Sequence, residues 1–447
     1  MKKRHFFTTI LVFVLVAALT AASFAYTSGP EYEALAVVIA DMESGDILYA
    51  SNEHAPLHPA STTKIMTALL AVEALDRGDF AIYDMLTTTE TALADMVPAG
   101  SNIDLQVGEE MSFESLLYAA MLVSANDATN VLAEYIGGSI EGFVQMMNQR
   151  AYELGAENTT FANPHGLTQD GHITTAYDMF RISEFANRNP RFVELYSQQE
   201  RPHAATDMRP AGFFRSTNFM TDPDSPHYFP GAEGIKTGFT NAAGFALVST
   251  ATRDDISLMA VVMGVHAGVE GEAEDDRNHF TESAAVYDWA FANFSYQEIL
   301  STTYEAIRVP VEFGEGIDSV GLRPLDSITV LVQAGIDLDA SITREVTVFN
   351  NATNEPLLAP INQGEALGEL MLYFDDRTFG PIPLVAAENV ALSRTAYMEN
   401  ELRDTLSNPW VLGAAGVLLL LLLLYIVYAT RYAILKRRRR KARMRRR

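Results

Sequence analysis

Apolar residues recur at helical spacing in several stretches between residues 31 and 294. The segment "STTKIMTALLAVEALDRG" carries apolar side chains at 65, 66, 69, 70 and 72, which predicts a helix that ends at Gly78. The segment "FESLLYAAMLVSANDATNVLAEYIGG" has a helical pattern on both sides of an interruption at residues 124–127. A further helix is predicted for "TESAAVYDWAFANF", at the end of this region.

Runs typical of β-strands stand at both ends of the same region. "ALAVVIADMESGDILYASN" predicts two strands around a turn, and "GIKTGFTNAAGFALVSTATRDDISLMAVVMGV" predicts adjacent strands with a turn at "RDD". Strands at both ends with helices between them indicate an antiparallel sheet packed against helices, and not repeating βαβ units. We therefore predict an α+β domain over residues 31–294.

The helical pattern fades after residue 295. "IRVPVEFG", "SITVLVQAG", "REVTVFN" and "LGELMLYFD" are β-rich runs separated by Gly, Pro, Asp and Asn, which predicts a small all-β domain over residues 295–396. Its polar residues form no catalytic cluster, so a spacer or docking role is the favoured interpretation. Residues 397–409 are predicted to be a short amphipathic or linker segment.

The two ends of the chain carry targeting signals. Residues 1–25 combine a basic start, an apolar run and the small residues "SFA", the pattern of a secretory signal peptide cleaved after Ala25. Residues 410–432 begin with twenty residues without a charge, enough for a helix that spans the bilayer. The basic residues of 433–447 predict a cytoplasmic tail. We therefore expect a single-pass protein of the cell membrane, with an extracytoplasmic body and lipid around its C-terminal helix.

Charge and composition exclude several classes of function. The net charge is -25, but the span from residue 26 to 407 has 18 basic and all 57 acidic residues, a charge of -39. A body this acidic repels nucleic acid, so no nucleic-acid partner is expected. The chain has no cysteine, and its nine histidines show no zinc-binding spacing. We predict neither a metal nor a cofactor.

Lysine is almost absent from the body of the chain, where only Lys64 and Lys236 occur beside sixteen arginines. Lys64 follows Ser61 by three residues, which places both side chains on one helical face. A serine hydroxyl becomes a nucleophile when a neighbouring group removes its proton. A lysine with a depressed pKa can do so, whereas an arginine cannot be deprotonated. On its own, however, a Ser-x-x-Lys match is weak evidence.

Two further motifs strengthen the interpretation. Lys236 opens "KTG", in which Thr237 offers a hydroxyl and Gly238 allows a ligand or another backbone to approach closely. "SAN" places Ser124 and Asn126 at the break in an apolar helix, where a helix cap is the alternative role. Ser-x-x-Lys, Ser-x-Asn and Lys-Thr-Gly in this order form the signature of penicillin-binding proteins and class A β-lactamases.

With these motifs, the chain resembles the D-alanyl-D-alanine carboxypeptidases among the low-molecular-weight penicillin-binding proteins. The segments "PASTTKIMTALL", "FANPHGL", "TTAYDM", "GIKTGFTNAAG" and "GLRPLD" carry the resemblance over roughly residues 36–390. It implies a β-lactamase/transpeptidase-like catalytic domain, a β-rich second domain and a C-terminal membrane attachment. Peptidoglycan stem peptides and β-lactam antibiotics are the implied partners. His165, in "NPHGL", is interpreted as structural and not as a proton donor.

The resemblance also implies a role for each reacting group. Ser61 attacks the carbonyl between two terminal D-alanines and forms an acyl-enzyme, with Lys64 as the base. The backbone N–H groups of Ser61 and Phe239 form the oxyanion hole. Ser124 relays a proton to the leaving amine, and water then releases a tetrapeptide stem.

Substrate binding is implied for a second group of residues. Asn126 holds the substrate amide, and Lys236 with Thr237 binds the terminal carboxylate, while the charge of Lys236 keeps Lys64 neutral. The family has an arginine three residues before the glutamate of the last helix of this domain. That place holds His279 here, with Arg277 two residues earlier, and either side chain could help to bind the carboxylate.

Two alternatives to a carboxypeptidase remain open from the sequence. A β-lactamase needs no membrane tether or β spacer, and no segment between "SAN" and "KTG" clearly supplies a deacylating glutamate. A non-catalytic cell-wall or sporulation scaffold that retains the fold would not need intact motifs. Turnover of penicillin without release of D-alanine would indicate the first, and a folded protein that penicillin does not label would indicate the second.

Overall fold

The structure, a computed structural model, describes residues 29–97, 100–266, 279–349 and 356–444. The predicted signal peptide lies outside the described residues. The chain divides into two compact units: the first extends to Gln297 and also contains Leu331–Ile336, and the second holds the rest. Each unit is described by itself below.

A five-stranded antiparallel sheet is the centre of the first unit. The strands of this unit are β1 (Ala36–Asp41), β2 (Ile47–Ser51), β3 (Met85–Thr87), β4 (Glu110–Ser112), β5 (Glu200–His203), β6 (Gly212–Arg215), β7 (Ala232–Thr240), β8 (Gly244–Arg253), β9 (Ile256–Val265) and β10 (Phe294–Leu300, shared with the second unit). The large sheet has the order β2, β1, β9, β8, β7, with every neighbouring pair antiparallel. Strand β7 is therefore an edge strand.

Helices lie on both faces of this sheet. They are α1 (Lys64–Arg77), α2 (Phe113–Leu122), α3 (Asn126–Gly137), α4 (Ile140–Glu153), α5 (Ala176–Asn187), α6 (Pro190–Tyr196) and α7 (His279–Asn293). Helix α1 ends at Gly78, whose left-handed backbone (φ +77°) glycine adopts without strain. The side chain of Ser112 caps α2 by accepting a hydrogen bond from the N–H of Ser115. The elements predicted from hydrophobic spacing are thus present.

Strand β1 shows how the sheet separates two cores. All six of its residues are buried, and they alternate between the two faces. Val38 packs in the core on the side of α1 to α6, with Leu69 of α1. Val37 packs in the opposite core, with Tyr287 of α7. Burial on both faces explains why the sequence of β1 is a continuous apolar run.

The second unit is a β domain. It contains β11 (Ile307–Glu312), β12 (Ser319–Pro324), β13 (Ile328–Gln333, shared with the first unit), β14 (Ile342–Val348), β15 (Leu357–Leu358), β16 (Ala366–Phe374), β17 (Arg377–Ala386) and the short helix α8 (Leu338–Ser341). Six strands form one sheet in the order β14, β16, β17, β12, β11, β15. Alternate residues of β16, including Leu370, Leu372 and Phe374, are fully buried. The α+β class followed by a small β domain is confirmed.

Two helices end the described chain, α9 (Arg394–Ser407) and α10 (Pro409–Met444). The sequence predicted an amphipathic or linker segment where α9 stands. The side chain of Ser393 caps α9, and none of its residues is buried. Within the described ranges one helix is long and apolar enough to cross a membrane, Pro409–Arg439 of α10.

Candidate active site

Ser61 and Lys64 meet where a short helix runs into α1. One turn of 3-10 helix, Ala60–Thr63, carries Ser61, and Lys64 is the first residue of α1. The Nζ atom of Lys64 lies 3.1 Å from the Oγ atom of Ser61. The side chain of Lys64 is fully buried, which is rare for a lysine. The predicted nucleophile and base are thus in hydrogen-bond contact.

Two further oxygen atoms surround the amine of Lys64. The Oδ1 atom of Asn126 and the backbone carbonyl of His165 each lie 2.7 Å from Nζ. Both can only accept hydrogen bonds, so they bind the two N–H groups of a neutral amine. In a neutral amine with both N–H groups bound in this way, the lone pair is left for the third neighbour, the hydroxyl of Ser61. The arrangement therefore matches an amine that accepts the proton of Ser61.

The surroundings of Lys64 favour its neutral form. Burial lowers the pKa of Lys64 well below its ordinary value, and the charge of Lys236 lowers it further. The carboxylate of Asp127 acts in the opposite direction. Burial and a second cation were the two expected causes of a lowered lysine pKa, and both act on Lys64, with desolvation the larger.

The "SAN" motif lies in the break between α2 and α3. Ser124 has a left-handed backbone (φ +62°), uncommon for a residue with a side chain, and is buried. Within the described part of the chain its Oγ atom has no hydrogen-bond partner. Asn126 begins α3, and its backbone N–H donates to the carbonyl of Ser101. A buried hydroxyl without a partner is available to a ligand.

The "KTG" motif lies on the edge strand β7, beside the turn that carries Ser61. A Cβ atom at Gly238 would lie 3.1 Å from the backbone nitrogen of Ser61, so this glycine allows the two backbones to approach. Lys236 is buried, and its Nζ atom donates to the carbonyl of Thr237. Burial lowers the pKa of Lys236 to about 7. Phe239, the next residue, is partly exposed at 46%.

Thr217 is a polar neighbour of this motif that the sequence analysis missed. Its hydroxyl lies 2.8 Å from the hydroxyl of Thr237. Its backbone N–H donates to the carbonyl of Leu122, the last residue of α2, which fixes its position. The pairing joins residues twenty positions apart, and no motif marks a threonine in this role.

His279 is placed by the structure, whereas Arg277 lies outside the described residues. His279 begins α7, is only 6% exposed, and stacks on the ring of Phe245 with 5.1 Å between the centroids. Phe245 in turn contacts Phe239, the residue after the "KTG" motif. Of the described polar atoms, none is a hydrogen-bond partner of either ring nitrogen. Burial lowers the pKa of His279 to about 3, so the ring is neutral.

His165 contacts Lys64 through its backbone and not through its ring. The Nε2 atom of the ring lies 3.0 Å from the carboxylate of Asp95, away from the amine. Burial lowers the pKa of His165. This geometry agrees with the structural role predicted for the side chain. For metal binding, the described residues include no group of three or more His, Cys, Asp or Glu side chains that could hold an ion.

Comparison with known proteins connects this geometry to a family. Residues 23–267, more than half of the chain, match the family described as "D-alanyl-D-alanine carboxypeptidase". The chain belongs to this family. Residues 294–392 of this carboxypeptidase match a second description, "Penicillin-binding protein 5, C-terminal domain". The resemblance noted in the sequence is confirmed.

Individual relatives cover most of the carboxypeptidase. The D-alanyl-D-alanine carboxypeptidase DacF of Bacillus subtilis is 31% identical over 87% of this chain and 95% of its own length. DacC of Escherichia coli is 31% identical over 81% of this chain and 85% of its own length. The crystal structure of penicillin-binding protein 5 from Haemophilus influenzae is similar with a TM-score of 0.59 and 28% identity, covering 82% of this chain and 99% of that one.

These matches establish the activity at the level of the family. The protein is a serine-type D-Ala-D-Ala carboxypeptidase and a penicillin-binding protein, as expected from its motifs. The β-lactamase and the non-catalytic scaffold were the alternatives, and the matched descriptions favour neither. The roles of individual residues are taken up in the proposal below.

Proposed function

We propose that this carboxypeptidase removes the terminal D-alanine from peptidoglycan stem pentapeptides through an acyl-enzyme on Ser61. The observation that carries the proposal is the position of Lys64, whose buried amine touches Ser61 and has two acceptors for its N–H groups. A neutral amine in contact with a hydroxyl is the arrangement that general-base catalysis requires.

In the acylation step, the Oγ atom of Ser61 bonds to the carbonyl carbon between the two D-alanines, and Lys64 takes the hydroxyl proton. The backbone N–H groups of Ser61 and Phe239 stabilise the oxyanion. The proton passes through Ser124 to the leaving nitrogen, and the carbon–nitrogen bond breaks. The unpartnered hydroxyl of Ser124 supports this assignment.

The second step releases the shortened peptide. A water molecule attacks the ester carbonyl on Ser61, and Lys64, neutral again after passing on its proton, accepts a proton from the water. The ester bond breaks, and the proton returns to the Oγ atom of Ser61. Burial of Lys64 supports both steps because the amine stays neutral between them.

Recognition of the substrate depends on Asn126 and on the "KTG" motif of β7. Asn126 binds the substrate amide, and Lys236 and Thr237 bind the terminal carboxylate, beside Gly238 on the edge strand β7. Arg277 and His279 are the further candidates for the carboxylate. The contact of His279 with Phe245, which in turn contacts Phe239 on β7, supports His279 as a candidate.

We expect the pH dependence of peptide hydrolysis to report on Lys236. Burial lowers its pKa to about 7, so the free enzyme loses this cation as the pH rises through that value. For the wild type, kcat/KM should therefore fall above about pH 7. Lys236→Arg should remove this alkaline limb, since a guanidinium keeps its charge. The measurement is kcat/KM for a D-Ala-D-Ala peptide between pH 5 and about 10.

The two proteins are compared by the shape of the pH profile of kcat/KM and not by its absolute value. Arginine is larger than lysine and can lower the activity at every pH without changing the profile. An alkaline limb at the same pH in both proteins would contradict the assignment of Lys236.

The membrane placement proposed here is a single span with the body outside the cell. One helix, Pro409–Arg439, is suited to crossing the bilayer, and basic residues follow its apolar part. Basic residues next to a span favour the cytoplasmic side. Peptidoglycan lies outside the membrane, so this orientation places Ser61 on the side of its substrate. The β-lactam antibiotics would react with the same serine.

One experiment tests the reaction and the orientation together. Intact cells that express the protein are treated with a membrane-impermeant fluorescent penicillin, and the adduct is located by peptide mass spectrometry. We expect labelling of intact cells, with the adduct on Ser61. The purified protein should release one D-alanine from each pentapeptide.

Three outcomes would contradict the proposal. Labelling only after lysis would reverse the orientation. An adduct on another serine would remove Ser61 from its role. Rapid turnover of penicillin without release of D-alanine would indicate a β-lactamase instead.

A further inference from the structure

Asp95 lies outside all three motifs, but it is linked to both acceptors of the Lys64 amine. Its carboxylate receives a hydrogen bond from the ring of His165, whose carbonyl binds Lys64. Its other oxygen accepts from the Nδ2 atom of Asn130, at 2.7 Å. Asn130 stands one turn after Asn126 on α3, and Asn126 is the second acceptor. Asp95 is therefore bonded to the ring of one acceptor residue, His165, and to Asn130, which lies on the same helix as the other acceptor, Asn126.

The hydrogen bonds of His165 fix which nitrogen carries the proton. The backbone N–H of Leu167 donates to Nδ1 at 3.2 Å, so Nδ1 is unprotonated. Nε2 then carries the hydrogen and donates it to Asp95 at 3.0 Å. Asp95 is thus the group that holds the neutral ring in this tautomer and orientation.

The backbone around His165 is held on its other sides as well. The hydroxyl of Thr67 donates to the carbonyl of Pro164 at 2.6 Å. The N–H of Gly166 donates to Oδ1 of Asn163 at 2.7 Å. The ring of His165 also anchors this turn, through its hydrogen bond to Asp95. The carbonyl that accepts from Lys64 belongs to the same residue.

We propose that Asp95 is a positioning residue for the general base, because it holds His165 and thereby the carbonyl that orients the amine of Lys64. This inference rests on the proposed role of Lys64. Asp95 itself touches neither Ser61 nor the "KTG" motif in the described contacts, and its side chain is 50% exposed. Its removal should therefore affect the base and leave carboxylate binding unchanged.

The test compares Asp95→Ala and Asp95→Asn with Glu90→Ala, an exposed acid in the preceding turn. Asp95→Ala should lower kcat and the rate of labelling by fluorescent penicillin by about tenfold to a hundredfold, the effect of a displaced catalytic group. KM should stay within about twofold. Asp95→Asn keeps an oxygen that can accept from His165 and should recover part of the rate. Glu90→Ala should match the wild type.

The pH profile separates positioning from a loss of folding. A looser carbonyl of His165 binds the charged form of Lys64 less well, so the pKa of Lys64 should fall and the acid limb of kcat should move to lower pH. The charges that act on Lys64, those of Lys236 and Asp127, are unchanged. The two histidines that interact with the charge of Lys64, His165 and His172, have pKa values lowered by burial.

An Asp95→Ala protein with wild-type rates and an unmoved profile would overturn the inference, while the adduct on Ser61 would still support the proposed function. A raised KM, or a fall in thermal stability that accounts for the lost activity, would also overturn it. If penicillin fails to label the wild type, the proposed function itself is wrong.

Discussion

Lys64→Arg should lower the rate of acylation by about a thousandfold or more, the contribution of a general base with its nucleophile. The substitution keeps a positive charge and hydrogen-bond donors beside Asn126 and the carbonyl of His165. A guanidinium cannot lose its proton at these pH values, so it cannot accept the proton of Ser61. The measurement is the second-order rate of labelling by a fluorescent penicillin.

The other lysine of the body provides a matched control. Lys236→Arg makes the same chemical change at a second buried site, where a fixed cation suffices, so it should retain much more labelling than Lys64→Arg. Lys64→Met, which keeps the length of the side chain without a base, should be as slow as Lys64→Arg. Equal labelling of Lys64→Arg and wild type, with both proteins folded, would refute the role of Lys64 as the base.

The residues proposed for the reacting centre could be singled out in the sequence because chemistry limits their types. A serine nucleophile with an amine base requires Ser and Lys. Residues three positions apart share one face of a helix, so the contact between Ser61 and Lys64 can be predicted without knowledge of the fold. The scarcity of lysine in the body then marked Lys236 as well. Its proximity to Lys64 is a tertiary feature, and only the resemblance to a family implied it.

The partners of Lys64 were less predictable from the sequence. Asn126 was expected to bind substrate, and its contact with the amine appears only in the fold. His165 contributes a backbone carbonyl, which every residue possesses, so its side chain carries no signal for this role. Thr217 and Asp95 reach the site through contacts between distant segments, and neither stands in a motif.

One strand of the second unit, β17, contains two prolines and was not predicted from the sequence. The run "RTFGPIPLVA" forms β17, which lies between β16 and β12. Proline lacks an N–H and is unusual inside a sheet. Here Pro381 falls in a shift of register against β16, and β12 pairs only from Leu384 onward. Pro381 therefore precedes the part of the strand that has neighbours on two sides. Pro383 takes part there through its carbonyl, which accepts from the N–H of Leu325.

Gly166→Ala should remove both stability and activity, because this glycine touches the turn that carries Ser61. A Cβ atom at position 166 would lie 1.9 Å from the carbonyl oxygen of Ala60 and 3.0 Å from the backbone nitrogen of Ser61. Gly166 also has a left-handed backbone (φ +98°), which adds strain to any other residue. Together, strain and overlap should cost about 3 kcal/mol or more of unfolding free energy.

The loss of activity should exceed what stability alone explains. The overlap pushes the backbone of Ala60 or the turn of His165, so it moves the nucleophile or the acceptor of Lys64. A displacement of this kind should slow acylation by about a hundredfold in the protein that remains folded. Labelling rates measured at a temperature where the variant is fully folded, as judged by circular dichroism, separate the two effects.

Gly171→Ala is the control, because it introduces backbone strain without a steric overlap. Gly171 has a similar left-handed backbone (φ +80°), but no atom lies within 4 Å of the Cβ position. This variant should lose only about 1 kcal/mol and label at nearly the wild-type rate. If Gly166→Ala behaved like Gly171→Ala, the close packing of the turn at Gly166 against Ala60 would not be required for the site. A selective loss in Gly166→Ala would show that one backbone contact maintains both the nucleophile and the carbonyl that orients its base.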